Sequence, residues 1–160
     1  MSAYITLVTP MLDEECLVAA IVDQGFPEAR IVRSVEPVAL RGWQKGRQAQ
    51  VVLPKEHTSD AYNDIGFLRG PTGFTAILSD DNARYGPGWL SSVSARYRAH
   101  WSAKQERLAA EERRRLEEDR KRVVEAQRRA VHERAKKMGY RVEETRQGET
   151  IRMVLVKRTY

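Results

Sequence analysis

Residues 89–138 contain neither glycine nor proline, and no asparagine, so fifty consecutive positions offer nothing that ends or reverses a helix. Cysteine is almost missing as well. Cys16 stands alone, which excludes an intramolecular disulfide and any thiolate metal cluster within one chain. No apolar run approaches the ~18 residues of a membrane span, and the N-terminus lacks the basic start and long apolar stretch of a signal peptide. A cytoplasmic protein is the expectation. Catalytic patterns are missing too. His57, Ser59 and Asp60 supply the residue types of a hydrolase triad, but three such residues within one loop do not give triad geometry, and no nucleophile elbow accompanies them. Ser79-Asp80-Asp81-Asn82 lacks the spaced ligands and terminal Glu of a calcium loop and reads as a turn. Cys16 has no evident neighbouring base and reads as a small core residue. Neither an enzyme nor a cofactor or metal site is expected.

What fills 89–138 is Ala, Leu, Arg, Lys, Glu and Gln, the side chains that lose least rotamer freedom in a helix. Gly86-Pro87-Gly88 punctuates its start, Gly139 sits where a left-handed residue would end it, and Lys136 and Lys137 suit the negative end of the helix dipole. Leu90, Val93, Tyr97, His100 and Trp101 recur at three- and four-residue steps, a stripe fit to cover a sheet. The stripe then thins to Leu108 and Leu116 among charges, and apolar positions return at Val124, Val131, Ala135 and Met138. Glu111 with Arg115, Glu117 with Lys121, and Glu118 with Arg122 are i,i+4 pairs in the favourable order, each contributing about 0.2–0.5 kcal/mol. A helix buried at both ends and solvated in the middle is predicted.

Charge is divided unevenly. Residues 89–138 hold 15 Lys+Arg against 8 Asp+Glu, a net +7, and the remainder is −1. Arg113, Arg114, Arg115, Arg120, Lys121, Arg122, Arg128 and Arg129, with Leu108 and Leu116, are the candidate interaction residues of this arm. Arg114, Lys121 and Arg128 share a face at seven-residue steps, but Glu118 and Glu125 fall beside them. Interleaving of this kind favours a self-paired, solvated face over a track for phosphates.

On either side of the arm the patterns are shorter. Residues 3–9 alternate as a strand closed by Pro10, and Asp13 caps a helix through Gln24 whose buried face is Cys16, Leu17, Ala20 and Ile21. Residues 29–35 and 38–40 are short strand candidates around Glu36-Pro37. Residues 42–46 form a turn from which Trp43 is expected to close over the core. A strand follows at 48–53, a polar loop at 55–63, and two strands at 65–68 and 74–79 joined through Gly70-Pro71-Thr72-Gly73. The tail reads as a hairpin of 140–145 and 150–157, turning at Gln147-Gly148-Glu149. Ile151, Met153 and Leu155 fall on one face of its second strand, with Val154 and Val156 on the other. That second apolar pair suggests a strand inside a sheet.

Asp64-Ile65-Gly66-Phe67, the run from Gly73 to Asp80, Trp89-Leu90, the run from Ala95 to His100, and the tail segments from Gly139 to Glu144 and from Gly148 to Leu155 together resemble a known family. It is the hypothetical chloroplast reading frame thirty-five (Ycf-type) proteins of algal plastids, cyanobacteria and other bacteria, classed as domain of unknown function twelve fifty-seven. The resemblance covers nearly the whole chain. It implies no catalytic residues, and it implies a setting beside AAA+ ATPases and a second small uncharacterised protein. One departure stands out. The spacing from His100 to Gly139 exceeds the family pattern by about 28 residues, or roughly 40 Å of helix.

The expectation is therefore an α+β fold: a mainly antiparallel sheet packed by one short helix and the start of a long charged arm, with a C-terminal β-hairpin. The divisions are a core at 1–88, the arm at 89–138, and a hairpin at 139–160 that completes a sheet. The leading functional reading is a non-enzymatic adaptor contacting a protein partner, such as an AAA+ ATPase or a second small protein, in a homo-oligomeric or partner-bound state. The alternative is a nucleic-acid-binding accessory using the basic arm; no membrane is involved. An extended arm leaves two destinations for the hairpin. Either the helix folds back on itself near the charge run, or it continues unbroken and the hairpin docks on another protomer or partner. Lacking any breaker, the segment favours the continuous helix.

Overall fold

The computed structural model describes residues 3–59 and 62–159. Its elements are β1 (Tyr4–Val8), α1 (Glu14–Asp23), β2 (Val32–Ala39), β3 (Gln48–Leu53), α2 (Lys55–Thr58), β4 (Ile65–Arg69), β5 (Phe74–Ser79), α3 (Pro87–Lys137), β6 (Tyr140–Gln147) and β7 (Thr150–Lys157). The fold is α+β, and the chain divides into two compact units, 1–106 and 107–160. α3 contributes residues to both.

The first unit is an antiparallel sheet in the order β1-β5-β4-β3-β2. Phe67 lies opposite both Ala76 and Val51, and Ala76 opposite Leu7, so one face presents a continuous apolar row. α1 and the start of α3 cover that face. Cys16, Leu17, Ala20 and Ile21 from α1 and Leu90, Val93 and Tyr97 from α3 join Val51, Leu53, Phe67, Phe74 and Leu78 in one cluster. Fully burying a Val or Leu side chain stabilises by about 1.5–3 kcal/mol, so this layer dominates the unit. α1 begins as its sequence implies, with Asp13 accepting a hydrogen bond from the Cys16 amide at 2.8 Å. α3 is pinned to that cap: the Tyr97 hydroxyl accepts from the amides of Leu12 and Asp13, and the Lys104 ammonium meets Asp13 at 2.6 Å. Burial pushes the Asp13 carboxyl up, but Lys104 and the Cys16 amide outweigh it and hold the group below its ordinary range.

A smaller cluster, Tyr4, Leu40, Ala49, Val52 and Ile77, covers the other face. Gly66 makes it possible. A Cβ there would stand 2.8 Å from Leu40 Cδ1 and from the Ala49 methyl, so only glycine lets Leu40 lie across β4.

Some local readings differ from the structure. β2 is one strand whose pairing with β3 shifts register between Arg33 and Val38, around Pro37, which has no amide to give the ladder. Residues 55–58 form a helical turn after Pro54, too short to leave a periodic signal. Trp43 is 61% exposed and does not close over the core. Its backbone is held by Asn63 and leaves the indole outside. His57 is exposed, Ser59 ends α2 in a left-handed conformation, and Asp60 lies outside the described residues.

In the second unit, α3 is continuous from Pro87 to Lys137 and contains no fold-back. Gly139, at φ +79°, then reverses the chain. β6 and β7 pair from Tyr140↔Lys157 to Gln147↔Thr150 and turn through Gly148-Glu149, with Gly148 at the φ +60° that a two-residue hairpin turn needs at its first position. The two strands form a sheet of their own and do not extend the five-stranded one. Val154 and Leu155 are exposed, so apolar residues on both faces of β7 do not mark an interior strand here.

Candidate functional site

The site predicted from sequence lies in 107–160, and that unit can be built from its charges. Glu144, midway along β6, points at the helix. It accepts from the Arg128 guanidinium at 2.6 Å and pairs with the His132 ring at 2.5 Å. The guanidinium and the imidazole hold its carboxyl down at about 2. At the turn end of the hairpin, Arg120 meets Glu149 at 2.9 Å. Among the described residues of this unit Ala135 is the one fully buried hydrophobic residue, at 1% exposure. The hairpin therefore sits on its helix by ion pairs and by half-buried apolar side chains, Tyr140, Val142, Ile151, Met153 and Val156, around buried Ala135.

Between these pairs lies a groove of about 540 Å³, walled by Arg120, Lys121, Val124 and Arg128 of α3 and by Arg146 and Ile151 of the hairpin. Glu117, Glu125 and Glu149 line it as well and pair with Lys121, Arg128 and Arg120. The groove gathers three of the candidate residues: Arg120, Lys121 and Arg128. Three more are paired along the helix itself: Arg114 with Glu118 at 3.9 Å, Arg122 with Asp119 at 3.8 Å and Arg129 with Glu125 at 3.6 Å. Of the i,i+4 pairs expected from sequence, Glu117 with Lys121 forms at 3.8 Å. Arg122 instead turns to Asp119 and Arg114 to Glu118, because each base in this run has more than one acid in reach. Arg113 and Arg115 have no ion pair among the described residues. Leu108 and Leu116 are exposed, the latter at 58%. The candidate residues thus split into a self-paired set and an uncovered set.

A second polar assembly, not recognised from sequence, lies in the first unit. The Asp64 carboxylate, 2% exposed as a residue, accepts from the amides of Arg41 and Lys55, each at 2.8 Å, and from the Arg41 guanidinium at 3.1–3.2 Å. Arg41 forks onto Glu56 at 2.5 and 2.6 Å, which holds the Glu56 carboxyl at about 2. Buried Asn63 accepts from the Trp43 amide and donates to the Ser79 hydroxyl. Each of these groups faces another protein group, so the assembly fixes the 40–44 loop across the sheet and does not present a reactive atom. The available signal was Asn63-Asp64 directly before an apolar strand, which reads equally well as a polar loop.

Among the described residues no group of three or more His, Cys, Asp and Glu is placed to hold a metal ion, and no helix is long and apolar enough to cross a membrane. In comparisons with family models, curated proteins and solved structures, nothing matches this chain.

Proposed function

We propose that this chain is a non-enzymatic accessory or adaptor protein that acts by protein–protein contact through residues 107–160. The observation that carries this reading is the poverty of that unit's interior. Among the described residues it fully buries one hydrophobic side chain, Ala135, half-buries Tyr140, Val142, Ile151, Met153 and Val156, and leaves Leu108, Leu116, Val123, Val124, Val131, Met138, Val154 and Leu155 exposed. Ordering each residue costs about 1–2 kcal/mol of backbone entropy, and an isolated hairpin is marginal in water even when well paired. A folded segment with so little interior of its own is built to be covered. Exposed apolar residues in this number mark a contact surface. The resemblance of the sequence to the Ycf-type family adds a direction for the search, toward an AAA+ ATPase or a second small protein.

The alternative, nucleic-acid binding by the arm, is the weaker one. Six of its eight candidate bases already have a carboxylate partner. No tight RNA or DNA binding at physiological salt is expected, and a sub-micromolar, salt-sensitive anisotropy titration would reverse the order of the two readings.

The direct test is a pull-down from the native host with mass-spectrometric identification, run beside a variant carrying Leu116→Asp and Val154→Asp. A protein captured by the wild type and lost by the variant supports the adaptor. Identical captures by both chains sink it.

A further inference from the structure

The hairpin covers one side of α3 and leaves a second side open. Leu108, Leu116, Val123, Val131 and Met138 are all exposed, and they recur at alternating steps of eight and seven. At about 100° per residue they fall within an arc of roughly 140°. The middle of that arc lies roughly 135° round the helix from Arg128, His132 and Ala135, which face the hairpin.

The charges on this arc are what identify its occupant. Arg113, Arg115, Arg134 and Lys137 lie within it or on its border and have no ion pair among the described residues. The acids within it or on its border are Glu112, Asp119 and Glu133, and Asp119 is already engaged by Arg122, so four uncommitted bases stand against two uncommitted acids. The stripe therefore carries an unspent surplus of positive charge beside its leucines.

We infer that this stripe docks an acidic amphipathic helix of a partner protein, with apolar residues at seven- and eight-residue steps flanked by Glu or Asp. The inference rests on the adaptor reading above and makes it specific. Other occupants fit less well. Residues 107–160 carry 17 Lys+Arg against 10 Asp+Glu, so a second copy brings net +7 against +7. A nucleic acid neutralises the bases and leaves the leucines wet. A membrane surface is disfavoured by Glu112 and Asp119 on the apolar side and by the lack of any Trp, Tyr or Phe from 102 to 139. An acidic helix covers the leucines and pairs the bases together, which is the helix-in-groove mode of recognition. The geometry adds one more property. Leu108 to Met138 repeats at about 3.75 residues per turn, above the 3.6 of a straight helix, so a partner that follows the stripe wraps with a right-handed sense.

The test uses the full chain and two synthetic helical peptides with identical leucine spacing, one flanked by Glu and one by Lys. Fluorescence anisotropy is expected to show binding of the Glu peptide alone, weakened by rising salt. Leu116→Asp and, separately, the double variant Arg113→Glu/Arg115→Glu should each weaken it by about tenfold or more. All these side chains are exposed, so an unchanged circular dichroism melt certifies the fold of each variant. Equal binding of both peptides, or of neither, overturns the inference. So does concentration-dependent dimerisation by light scattering that Leu116→Asp abolishes, or preferential binding of the chain to phosphatidylserine vesicles or to a single-stranded oligonucleotide. The two proposals fail separately. A host protein lost with Val154→Asp but retained with Leu116→Asp keeps the adaptor and removes this stripe as its docking face.

Discussion

In residues 1–106 the apolar side chains of α3 disappear under a sheet: Leu90 and Val93 lie in the same cluster as Phe67 and Leu78. In residues 107–160 the same helix carries Leu108, Leu116 and Val123 in the open and meets its hairpin through Glu144 and Glu149. One unit is assembled by area removed from water, the other by charge. The first kind of unit depends less on salt, because apolar burial is neither directional nor screened, although Lys104 with Asp13 and Arg41 with Glu56 add ion pairs to it. The second is loosened by salt and acid, because exposed ion pairs contribute about 0–1 kcal/mol each and are screened.

The sharpest way to break this contrast is Val93→Asp, which places an unpaired carboxylate where exposure is 0%. It should cost roughly 4 kcal/mol or more and lower the melting temperature of the first unit steeply. An unchanged melt would mean that α3 does not pack as described. Next comes Leu53→Ala, at another fully buried position, expected to cost about 2–5 kcal/mol in chemical denaturation. Asp64→Ala should follow at about 2–4 kcal/mol, since the amides of Arg41 and Lys55 lose their acceptor. Its signature is loss of hydrogen-exchange protection at those two amides. If both stay protected, the carboxylate is not what holds the loop.

The second unit should respond to pH. Glu144 keeps its charge down to about 2 when paired, against an ordinary 4.5, so its contribution is whole above about 4.5 and disappears as pH falls to about 2. Amide protection factors in β6 and β7, taken against the intrinsic exchange rate at each pH, should fall through that window, and Glu144→Gln should flatten the response. A hairpin equally protected at both ends of the window would show that the pair with Arg128 and His132 does not seat it. The smallest effect belongs to Leu116→Ala. It repeats the chemistry of Leu53→Ala on an exposed site, and about 0.5 kcal/mol or less is expected in the same denaturation measurement. A cost matching that of Leu53→Ala would erase the distinction between the units.

Most of the local structure is legible because local chemistry decides it. The Asp13 cap, the 48–53 and 74–79 strands and the unbroken α3 each follow from residues within a few positions of the element. Apart from the one-turn helix at 55–58, the failures are long-range. Trp43 is held outside by a bond from its own amide to Asn63, twenty positions away, which hydropathy does not register. The join of β2 across Pro37 depends on what β3 offers opposite it. The hairpin's seat on α3 depends on Glu144 finding Arg128 and His132, and nothing in an alternating apolar strand announces that destination. Of the candidate interaction residues, the basic and apolar content was readable, but the division into engaged and uncovered members needed the paired geometry.

Cys16 has a practical consequence. It is the only thiol in the chain, 4% exposed, and its sulfur is pushed up to about 11, first by burial and then by the neighbouring Asp13 carboxylate. A maleimide or disulfide reagent at neutral pH therefore finds neither access nor thiolate while the first unit is closed. Each labelled molecule records one opening of 1–106, and the second unit, having no thiol, contributes no signal. The chain carries its own clock for the excursions of its body, readable by mass alone.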